Sequence, residues 1–412
     1  MTNLPLDGVR ILDASHVLAG PYATYQLCLM GADAVRVERI GGDDFVRRHG
    51  GSPELRAAGM GGSFTAQNAG KACILMDLKA PGGREAFLKL AAQSDVVMEN
   101  YRPGVMDRLG CGYDDVRAVK PDVIYCSLTG YGPEGPLSGA PAYDHIVQGM
   151  SGLMSMTGTP ESGPQRVGLP ITDYIAGLTA ALAVSGALHQ LRQTGKGQHL
   201  VVPMLSSVLS MMGVFAIDQQ TDGRERGLQG NLPFSGSPFA GRFDTADGHI
   251  VVTANTAAQA ARMVAALGLD ELAGMAGDTA PDALGEEQKA QVTAALERVF
   301  RTKAATEWED ILARANVPAG KVRNLGEILN HPQTAASGCL DDLPLPGVAA
   351  PVKIPGLGFT SDAWARRPLP QPENPGDSTR RVLAGAGFSE DEIETLARAG
   401  AIAGAGLPPR DG

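Results

Sequence analysis

The chain has 412 residues, more than one ordinary hydrophobic core supports, which predicts two domains. Hydrophobic residues make up 43% and charged residues 19%, a composition that excludes a disordered or fibrous protein. The formal net charge of −10 and the absence of a basic stripe exclude nucleic acid as the main partner.

The first 130 residues alternate between short apolar strands and helical stretches. The predicted strands are 9–14, 34–38, 72–77, 95–100 and 122–127, with helices at 21–30, at 83–92 and from 103 onwards. This alternation is typical of an α/β fold, a parallel sheet covered by helices. Since ligands bind beyond the C-terminal ends of such strands, we expect segments 15–21, 38–42, 100–104 and 129–135 to meet in one crevice.

A long helix is predicted over 173–191, followed by a strand at 200–203 and a helix at 206–218. The polar, glycine-rich stretch 219–236 is interpreted as the crossing into a second domain. Asp247-Gly248 predicts a hairpin between strands 239–243 and 249–254. Helices are expected at 257–267, 286–300 and 305–314, an irregular proline-rich segment at 351–375, and short helices at 378–385 and 389–398, the last begun by a capping box.

Cysteine and histidine spacing indicates neither disulfides nor a metal site. The five cysteines contain no C-x-x-C pair and the seven histidines no H-E-x-x-H pattern, so we expect buried thiols, no metal and no permanently bound cofactor. The first seven residues lack the features of a signal peptide, and the longest apolar stretch, 175–188, is short for a membrane span. A cytoplasmic protein without a membrane partner is therefore predicted.

One glycine motif needs a separate interpretation. Residues 130–135 match G-x-G-x-x-G after a strand, as in dinucleotide-binding proteins. Pro133 and Pro136 stand where a helix should begin, and no acidic residue closes a second strand about 20 positions later. The pattern is interpreted as a glycine-rich turn.

Asp173 lies where an apolar stretch leads into the long helix. A carboxylate at this place can be the N-cap of the helix, which is a common use of Asp. It can also be a nucleophile that backbone amides and the helix dipole hold in place. Taken alone, the residue favours the N-cap interpretation.

Longer strings recur in a fixed order along the chain. They are Ser15–Pro21, Val37–Arg39, Asn68–Lys71, Glu99–Gly104, Tyr125–Pro136, Ala142–Gln148, Gly168–Gly177, Thr194–Gln198 and His331–Gln333. Their order and spacing resemble the family III coenzyme A transferases, the group of formyl-CoA transferase and carnitine CoA-transferase, which also contains alpha-methylacyl-CoA racemase. The likeness covers essentially the whole chain.

The resemblance implies a Rossmann-like large domain at 1–222 with 332–412, a smaller α+β domain at 223–331, and an interlocked homodimer. It implies that Asp173 is the catalytic carboxylate, which forms an acyl–aspartyl anhydride and then an aspartyl–CoA thioester. The expected partners are an acyl-CoA donor and a carboxylic acid acceptor, so that coenzyme A is a substrate.

The resemblance also implies which residues contact the ligands. The coenzyme A positions are His16, Val17, Ala19, Arg39, Lys71, Asn100, Tyr101 and Arg108, and the substrate-orienting positions are Tyr143, Asp144, Ser235 and Gly236. The alternatives are a surface charge for each arginine and for Lys71, and a half-buried core histidine for His16.

Several positions depart from formyl-CoA transferase. Leu18 replaces a glutamine, Leu128 and Pro141 replace two cofactor-site lysines, and residues 233–238 replace a run of glycines that closes over the intermediate. These replacements argue against an oxalate/formate specificity. Arg166 or Arg242 is a candidate for holding a distal carboxylate of the substrate, or is a surface charge.

The racemase branch of the family uses a histidine and an aspartate to move a proton. Tyr143 stands at the position of that histidine, and an unperturbed tyrosine is too weakly basic to replace imidazole. His145, two residues later, would point to another face of a helix. Transfer is therefore the preferred function, with a 2-methylacyl-CoA racemase or a non-catalytic acyl-CoA-binding homologue as alternatives.

Overall fold

The protein is described from a computed structural model, which describes residues 4–42, 44–223, 225–228, 230–231, 233, 235–277 and 283–411. Contacts divide the chain into two compact units, one of Met1–Met154, Arg166–Glu225 and Ser337–Gly412, the other of Ser155–Gln165 and Arg226–Ala336. The domain boundaries expected from the sequence remain a prediction. They differ mainly at 155–165, which group with the second unit, where the Gly230 N–H donates to the Gly158 carbonyl at 2.7 Å.

The strands of the described residues are as follows, in chain order: β1 Arg10–Asp13, β2 Asp33–Arg39, β3 Ala72–Met76, β4 Val96–Glu99, β5 Ile124–Thr129, β6 Gly158–Thr159, β7 Gly163–Pro164, β8 Gln198–Pro203, β9 Ala240–Asp244, β10 His249–Thr253, β11 Ala319–Lys321, β12 Leu340–Leu343, β13 Val352–Pro355 and β14 Ile402–Ala403.

The helices of the described residues are α1 Ala19–Leu29, α2 Pro53–Ala57, α3 Gly62–Asn68, α4 Gly83–Ala91, α5 Val105–Arg108, α6 Tyr113–Val119, α7 Asp144–Met150, α8 Ile171–Thr194, α9 Met204–Leu209, α10 Gly213–Asp222, α11 Ala257–Leu267, α12 Ala273–Gly277, α13 Glu286–Phe300, α14 Ala305–Arg314, α15 Leu325–Leu329, α16 Pro332–Ser337, α17 Thr379–Gly385 and α18 Glu390–Arg398. Short 3₁₀ turns lie at Phe45–Arg48, Met154–Met156 and Asp270–Leu272.

A seven-stranded sheet forms the centre of the first unit, in the order β14-β3-β2-β1-β4-β5-β8. All of its pairs are parallel except β14–β3, which is antiparallel. Every residue of β4 and β5 is buried, as expected for parallel strands covered on both faces. The mainly parallel α/β fold predicted from the sequence is confirmed, whereas the antiparallel edge strand β14 was not predicted.

The second unit contains a three-stranded antiparallel sheet, β11-β10-β9. The predicted hairpin joins β9 to β10, with the Thr245 N–H donating to the Gly248 carbonyl at 2.9 Å. Helices α11, α13 and α14 contribute buried residues to one core with this sheet, in which the Trp308 indole N–H donates to the Phe300 carbonyl at 2.9 Å. The predicted capping box of α18 is also present, formed by Ser389 and Glu392.

Helix α8 has 24 residues and its most apolar window has a mean hydropathy of 1.4, so length and composition alone allow it to cross a membrane. The apolar stretch 175–188 was expected to be too short for a membrane span, but the helix that contains it is long enough. The core helix of a soluble protein has the same length and composition. Ala176, Ala180 and Val184 of α8 are fully buried in the core of the first unit.

The contact between α1 and α8 is unusually close at Gly177. A Cβ at this position would lie 2.7 Å from the Ala19 carbonyl oxygen and 2.9 Å from Cδ1 of Tyr22. The rings of Tyr22 and Tyr174 meet edge to face beside this point, with centroids 4.8 Å apart. Only glycine allows the two helices to approach this closely.

We predict that Gly177→Ala lowers the melting temperature, because the new methyl group must push α8 away from the backbone of α1. The matched control is Gly186→Ala on the same helix, where a Cβ would meet nothing within 4 Å. It should be neutral or stabilising by up to about 1 kcal/mol, since alanine favours helix. Thermal unfolding measures both variants, and equal melting temperatures would contradict the packing argument.

Candidate active site

A cleft of about 670 Å³ opens at the C-terminal edge of the central sheet. Residues that end or follow β1, β2, β4 and β5 line it, so the crevice expected from the strand ends is present. Its volume is in the range of small-molecule sites. Eight of the predicted site residues line it, namely His16, Val17, Ala19, Arg39, Asn100, Tyr101, Tyr143 and Asp173.

Asp173 lies in the first turn of α8 and lines the cleft. The N-cap of α8 is Pro170, so Asp173 does not cap the helix. Within the described part of the chain its carboxyl group has no hydrogen-bond or ion-pair partner. Burial, with a smaller contribution from the nearby carboxylate of Asp144, raises the pKa of Asp173 to about 7. The group is thus a poorly solvated carboxylate that is partly ionised at neutral pH.

Asp144 does not line the cleft, and its predicted role in orienting the acyl group near Asp173 stays a prediction. It is buried, and its Oδ1 accepts hydrogen bonds from the backbone N–H and the hydroxyl of Thr172 at 2.8 and 2.9 Å. Its Oδ2 accepts from the Gln148 amide at 2.8 Å. These bonds hold the start of α8 against α7, so Asp144 positions Asp173 through the backbone and through its charge.

The loop after β1 is held by side chains from two other segments. The His16 N–H donates to Asn100 Oδ1 and the Asn100 amide donates to the His16 carbonyl, both at 2.8 Å. The Val17 N–H donates to Asp44 Oδ2 at 2.8 Å. Val17 has φ 66°, which is rare for a β-branched residue, so these bonds maintain a strained backbone at the wall of the cleft.

Buried ion pairs hold this loop in place, and Arg36, Glu38 and Asp44 of this network also line the cleft. Arg36 is 1% exposed and donates to Asp44 at 2.7 Å and to Glu38 at 2.8 Å, while Arg47 donates to Glu38 at 2.7 Å. Arg36 therefore orients Asp44, which in turn holds Val17. These charges are satisfied within the protein and serve to fix the geometry of the loop.

Lys71 corrects another sequence prediction, because it is neither a phosphate contact nor exposed. It is 2% exposed, and its ammonium group donates to Asp13 at 2.9 Å, to Thr24 at 2.7 Å and to the Pro21 carbonyl at 2.8 Å. Lys71 precedes β3, so it starts away from the C-terminal edge of the sheet. Its contacts join α1 to the end of β1.

Arg108 does not line the cleft either. It is exposed at the end of α5, with its guanidinium group over Gly104. Arg102, three residues after the end of β4, lines the cleft and was not singled out, although its position in the segment after a strand end was a usable signal. Phe45, which is 56% exposed, also lines the cleft and was missed, because no strand end marks it.

The remaining predicted positions either lie outside this cleft or place apolar groups in its lining. Ser235 and Gly236 belong to the second unit, where the Ser235 hydroxyl donates to Asn255 at 2.7 Å, and their substrate role stays a prediction. Leu128 and Pro141 line the cleft as apolar groups. Among the described residues there is no cluster of His, Cys, Asp or Glu that could hold a metal ion.

His16 contributes a neutral imidazole to the wall. Burial lowers the pKa of His16, so the ring is uncharged at neutral pH. It contacts the ring of Tyr101, with centroids 5.0 Å apart. Together with Asn100 these side chains form one side of the cleft next to the strained Val17.

The sequence model described as CoA-transferase family III matches residues 6–377. The chain is 34% identical to acetyl-CoA:oxalate CoA-transferase of Acetobacter aceti, over 92% of this chain and 96% of that protein. It is 32% identical to human succinyl-CoA:glutarate CoA-transferase, over 93% and 86% respectively. A CaiB/BaiF family protein from Brucella suis has a similar structure, with a TM-score of 0.82 and 28% identity over 93% of this chain and all of that one.

We predict that Asp173→Asn stabilises the protein, and more so at pH 8 than at pH 5. The pKa of about 7 lies above the ordinary value of 3.8, so ionisation in the folded state lowers stability as pH rises from the unfolded to the folded pKa. The extra gain at pH 8 should be about 2 kcal/mol. Thermal unfolding at both pH values measures this difference.

The control for this prediction is Asp144→Asn, which weakens hydrogen bonds to Thr172 and Gln148 and should not stabilise the fold. An Asp173→Asn variant with the same melting temperature as the parent protein at pH 8 would show that the carboxyl is well solvated.

Proposed function

The chain belongs to the family III CoA-transferases, and on that premise we propose that it moves coenzyme A from an acyl-CoA thioester to a carboxylic acid through covalent intermediates on Asp173. The observation that carries this mechanism is a poorly solvated carboxyl group, with no hydrogen-bond partner among the described residues, that lines a coenzyme-sized cleft. A carboxylate is a weak nucleophile in water, and removal from water together with fixed orientation makes it a stronger one.

The proposed reaction has four steps, which together restore Asp173. An Asp173 oxygen attacks the donor thioester carbonyl, forming an acyl–aspartyl anhydride and expelling the CoA thiolate. The thiolate then attacks the aspartyl carbonyl, which releases the donor acid and leaves an aspartyl–CoA thioester. The acceptor carboxylate attacks this thioester to form a second anhydride and free thiolate. Attack of the thiolate on the acceptor carbonyl gives the new acyl-CoA and restores Asp173.

Each step passes through a tetrahedral oxyanion that needs hydrogen-bond donors. Helix α1 begins at Ala19 in the wall of the cleft, and the first N–H groups of a helix lack partners within it. We assign oxyanion stabilisation to these backbone groups. The bonds that fix His16 and Val17 set where they point.

The coenzyme would lie along the first unit's cleft. Arg39 and Arg102 are exposed cations in its lining and suit phosphate groups, and the exposed ring of Phe45 suits the adenine. His16, Asn100 and Tyr101 line the part of the cleft assigned to the pantetheine arm.

The proposed acceptor, and the acid that the donor releases, are both carboxylic acids. The relatives above are named for oxalate and glutarate, which are dicarboxylates. Leu18, Leu128 and Met204 are apolar parts of the lining. The argument against an oxalate/formate specificity stays a prediction, and one of the relatives is named for oxalate. Arg166 hydrogen-bonds the carbonyls of Val167 and Gly168.

The residue at the position of the racemase histidine favours transfer over racemisation. Tyr143 is 60% exposed and lines the cleft at the position where the racemase branch has its histidine. His145 does not line the cleft and stacks loosely on Tyr143, with centroids 6.5 Å apart. We propose that the Tyr143 hydroxyl orients the acyl group beside Asp173.

The assembly and location remain proposals. An interlocked homodimer is supported by apolar side chains left exposed on α8 and α10, which are Leu178, Leu182, Val214 and Ile217. A cytoplasmic location is supported by five cysteines without a disulfide, four of them buried.

We predict that incubation with succinyl-CoA or acetyl-CoA and hydroxylamine inactivates the enzyme, because hydroxylamine attacks the activated aspartyl carbonyl. Mass spectrometry should place the resulting hydroxamate on Asp173. Asp173→Ala should lower exchange by at least about 1,000-fold while leaving coenzyme A binding within about threefold, since the nucleophile is lost and the cleft is not.

The outcome that would contradict this assignment is an Asp173→Ala enzyme with near-normal exchange. A parent enzyme that hydroxylamine leaves active and unmodified during turnover would count equally against it.

A further inference from the structure

A second, smaller cavity of about 90 Å³ lies beside the cleft, and Arg102, Pro103 and Thr129 line both. The polar groups in the small cavity include Glu99, Ser127 and His199. None of these three takes part in the reaction proposed above.

Glu99 is a buried carboxyl at the start of the coenzyme-binding segment. It ends β4, is 6% exposed, and its Oε2 accepts a hydrogen bond from the Tyr101 N–H at 2.8 Å. Its other hydrogen bond is with the hydroxyl of Ser127 on the neighbouring strand β5, where the two residues are in register. No lysine or arginine of the described chain forms an ion pair with it. Burial, opposed by these hydrogen bonds, raises the pKa of Glu99 to about 7.

Ser127 connects this carboxyl to a histidine nearer the surface. The Ser127 hydroxyl oxygen lies 2.9 Å from Nε2 of His199 on β8. The His199 ring stacks on Tyr113 with centroids 4.8 Å apart, and the residue is exposed to solvent. A continuous hydrogen-bonded path therefore runs from solvent through His199 and Ser127 to Glu99.

Glu99 is also linked to the wall of the cleft. It holds the backbone of Tyr101, and the adjacent Asn100 exchanges two hydrogen bonds with the backbone of His16. The geometry of the loop after β1 thus depends on how firmly the segment after β4 is held.

We propose that Glu99 is a positioning residue for coenzyme A, which fixes the Asn100–Gly104 segment in the binding conformation when ionised and releases it when protonated, with Ser127 and His199 as its path to solvent. The inference rests on the proposed function, because it assigns coenzyme A to this cleft. It adds a control of binding that is separate from the chemistry on Asp173.

The direction follows from hydrogen-bond strength. An ionised carboxylate accepts the Tyr101 N–H in a charge-assisted bond, roughly twice as strong as the bond to a neutral acid. The titratable and charged groups that face Glu99 are Asp107 on α5, Tyr113 on α6, Tyr125 on β5, His199 on β8, and Tyr101 and Arg102 in its own segment. Of the ionised groups, the carboxylate of Asp107 raises the pKa of Glu99.

The test measures coenzyme A binding by calorimetry in an Asp173→Asn protein, which removes the titration of the nucleophile. Between pH 6 and pH 8 the Kd for coenzyme A should fall by about five- to tenfold as Glu99 ionises. Adding Glu99→Gln keeps an acceptor for the Tyr101 N–H and should remove this fall. Titration of the coenzyme's own phosphate is shared by both proteins and cancels in the comparison.

Ser127→Ala in the same background tests the path. Loss of the Ser127 hydroxyl removes a hydrogen bond that favours the ionised carboxyl, so the midpoint of the Kd change should move to higher pH. A purely structural role would weaken binding equally at every pH.

The inference is overturned if Glu99→Gln keeps the pH dependence of the parent, or if it weakens binding by the same factor throughout. Failure of the Asp173→Asn protein to bind coenzyme A at any pH would contradict the proposed function itself, and this inference with it. A melting curve for each variant confirms that the protein compared is folded.

Discussion

The close contact between α1 and α8 is the constraint on which the site depends. Gly177 brings the two helices together at the Ala19 carbonyl, and Asp173 lies four residues earlier, one turn along α8. The same contact therefore positions both Asp173 and the beginning of α1, and Asp173 and Ala19 both line the cleft. In the mechanism we propose, the nucleophile and the oxyanion donors come from these two helices, whose close approach depends on one glycine.

The charged groups at the cleft are of two kinds, a network of ion pairs and the single carboxyl group of Asp173. Arg36, Glu38, Asp44 and Arg47 neutralise one another next to the loop after β1, and Asp44 holds that loop in a strained form. Asp173 has no cation beside it among the described residues and keeps a high pKa. Since buried ion pairs contribute little net stability, the network is best understood as a device that fixes geometry. The charges that fix the loop are therefore paired, whereas the carboxyl group that we propose as the nucleophile has no cation beside it among the described residues.

The sequence predicted the parallel sheet, its strands and the crevice at their ends, because buried parallel strands are near-continuous apolar runs and their C-terminal ends share one edge. It also drew attention to Asp173. It did not anticipate that Lys71 is buried against Asp13, that Arg108 lies outside the lining of the cleft, or that Asp144 holds Thr172. These depend on which way a side chain turns, which is set by tertiary packing. The C-terminal strand β14 was missed since two residues carry no periodicity.

The central claim is that Asp173 exchanges its own oxygen with the substrates. Turnover with a carboxylate acceptor labelled with ¹⁸O in both oxygens tests it most directly, followed by mass spectrometry of the peptide that contains Asp173. When the acceptor anhydride is cleaved by the thiolate, one acceptor oxygen must remain on the aspartyl group. The account predicts that ¹⁸O accumulates in Asp173 with turnover. Unlabelled Asp173 after many turnovers, with labelled acyl-CoA product present, would contradict it.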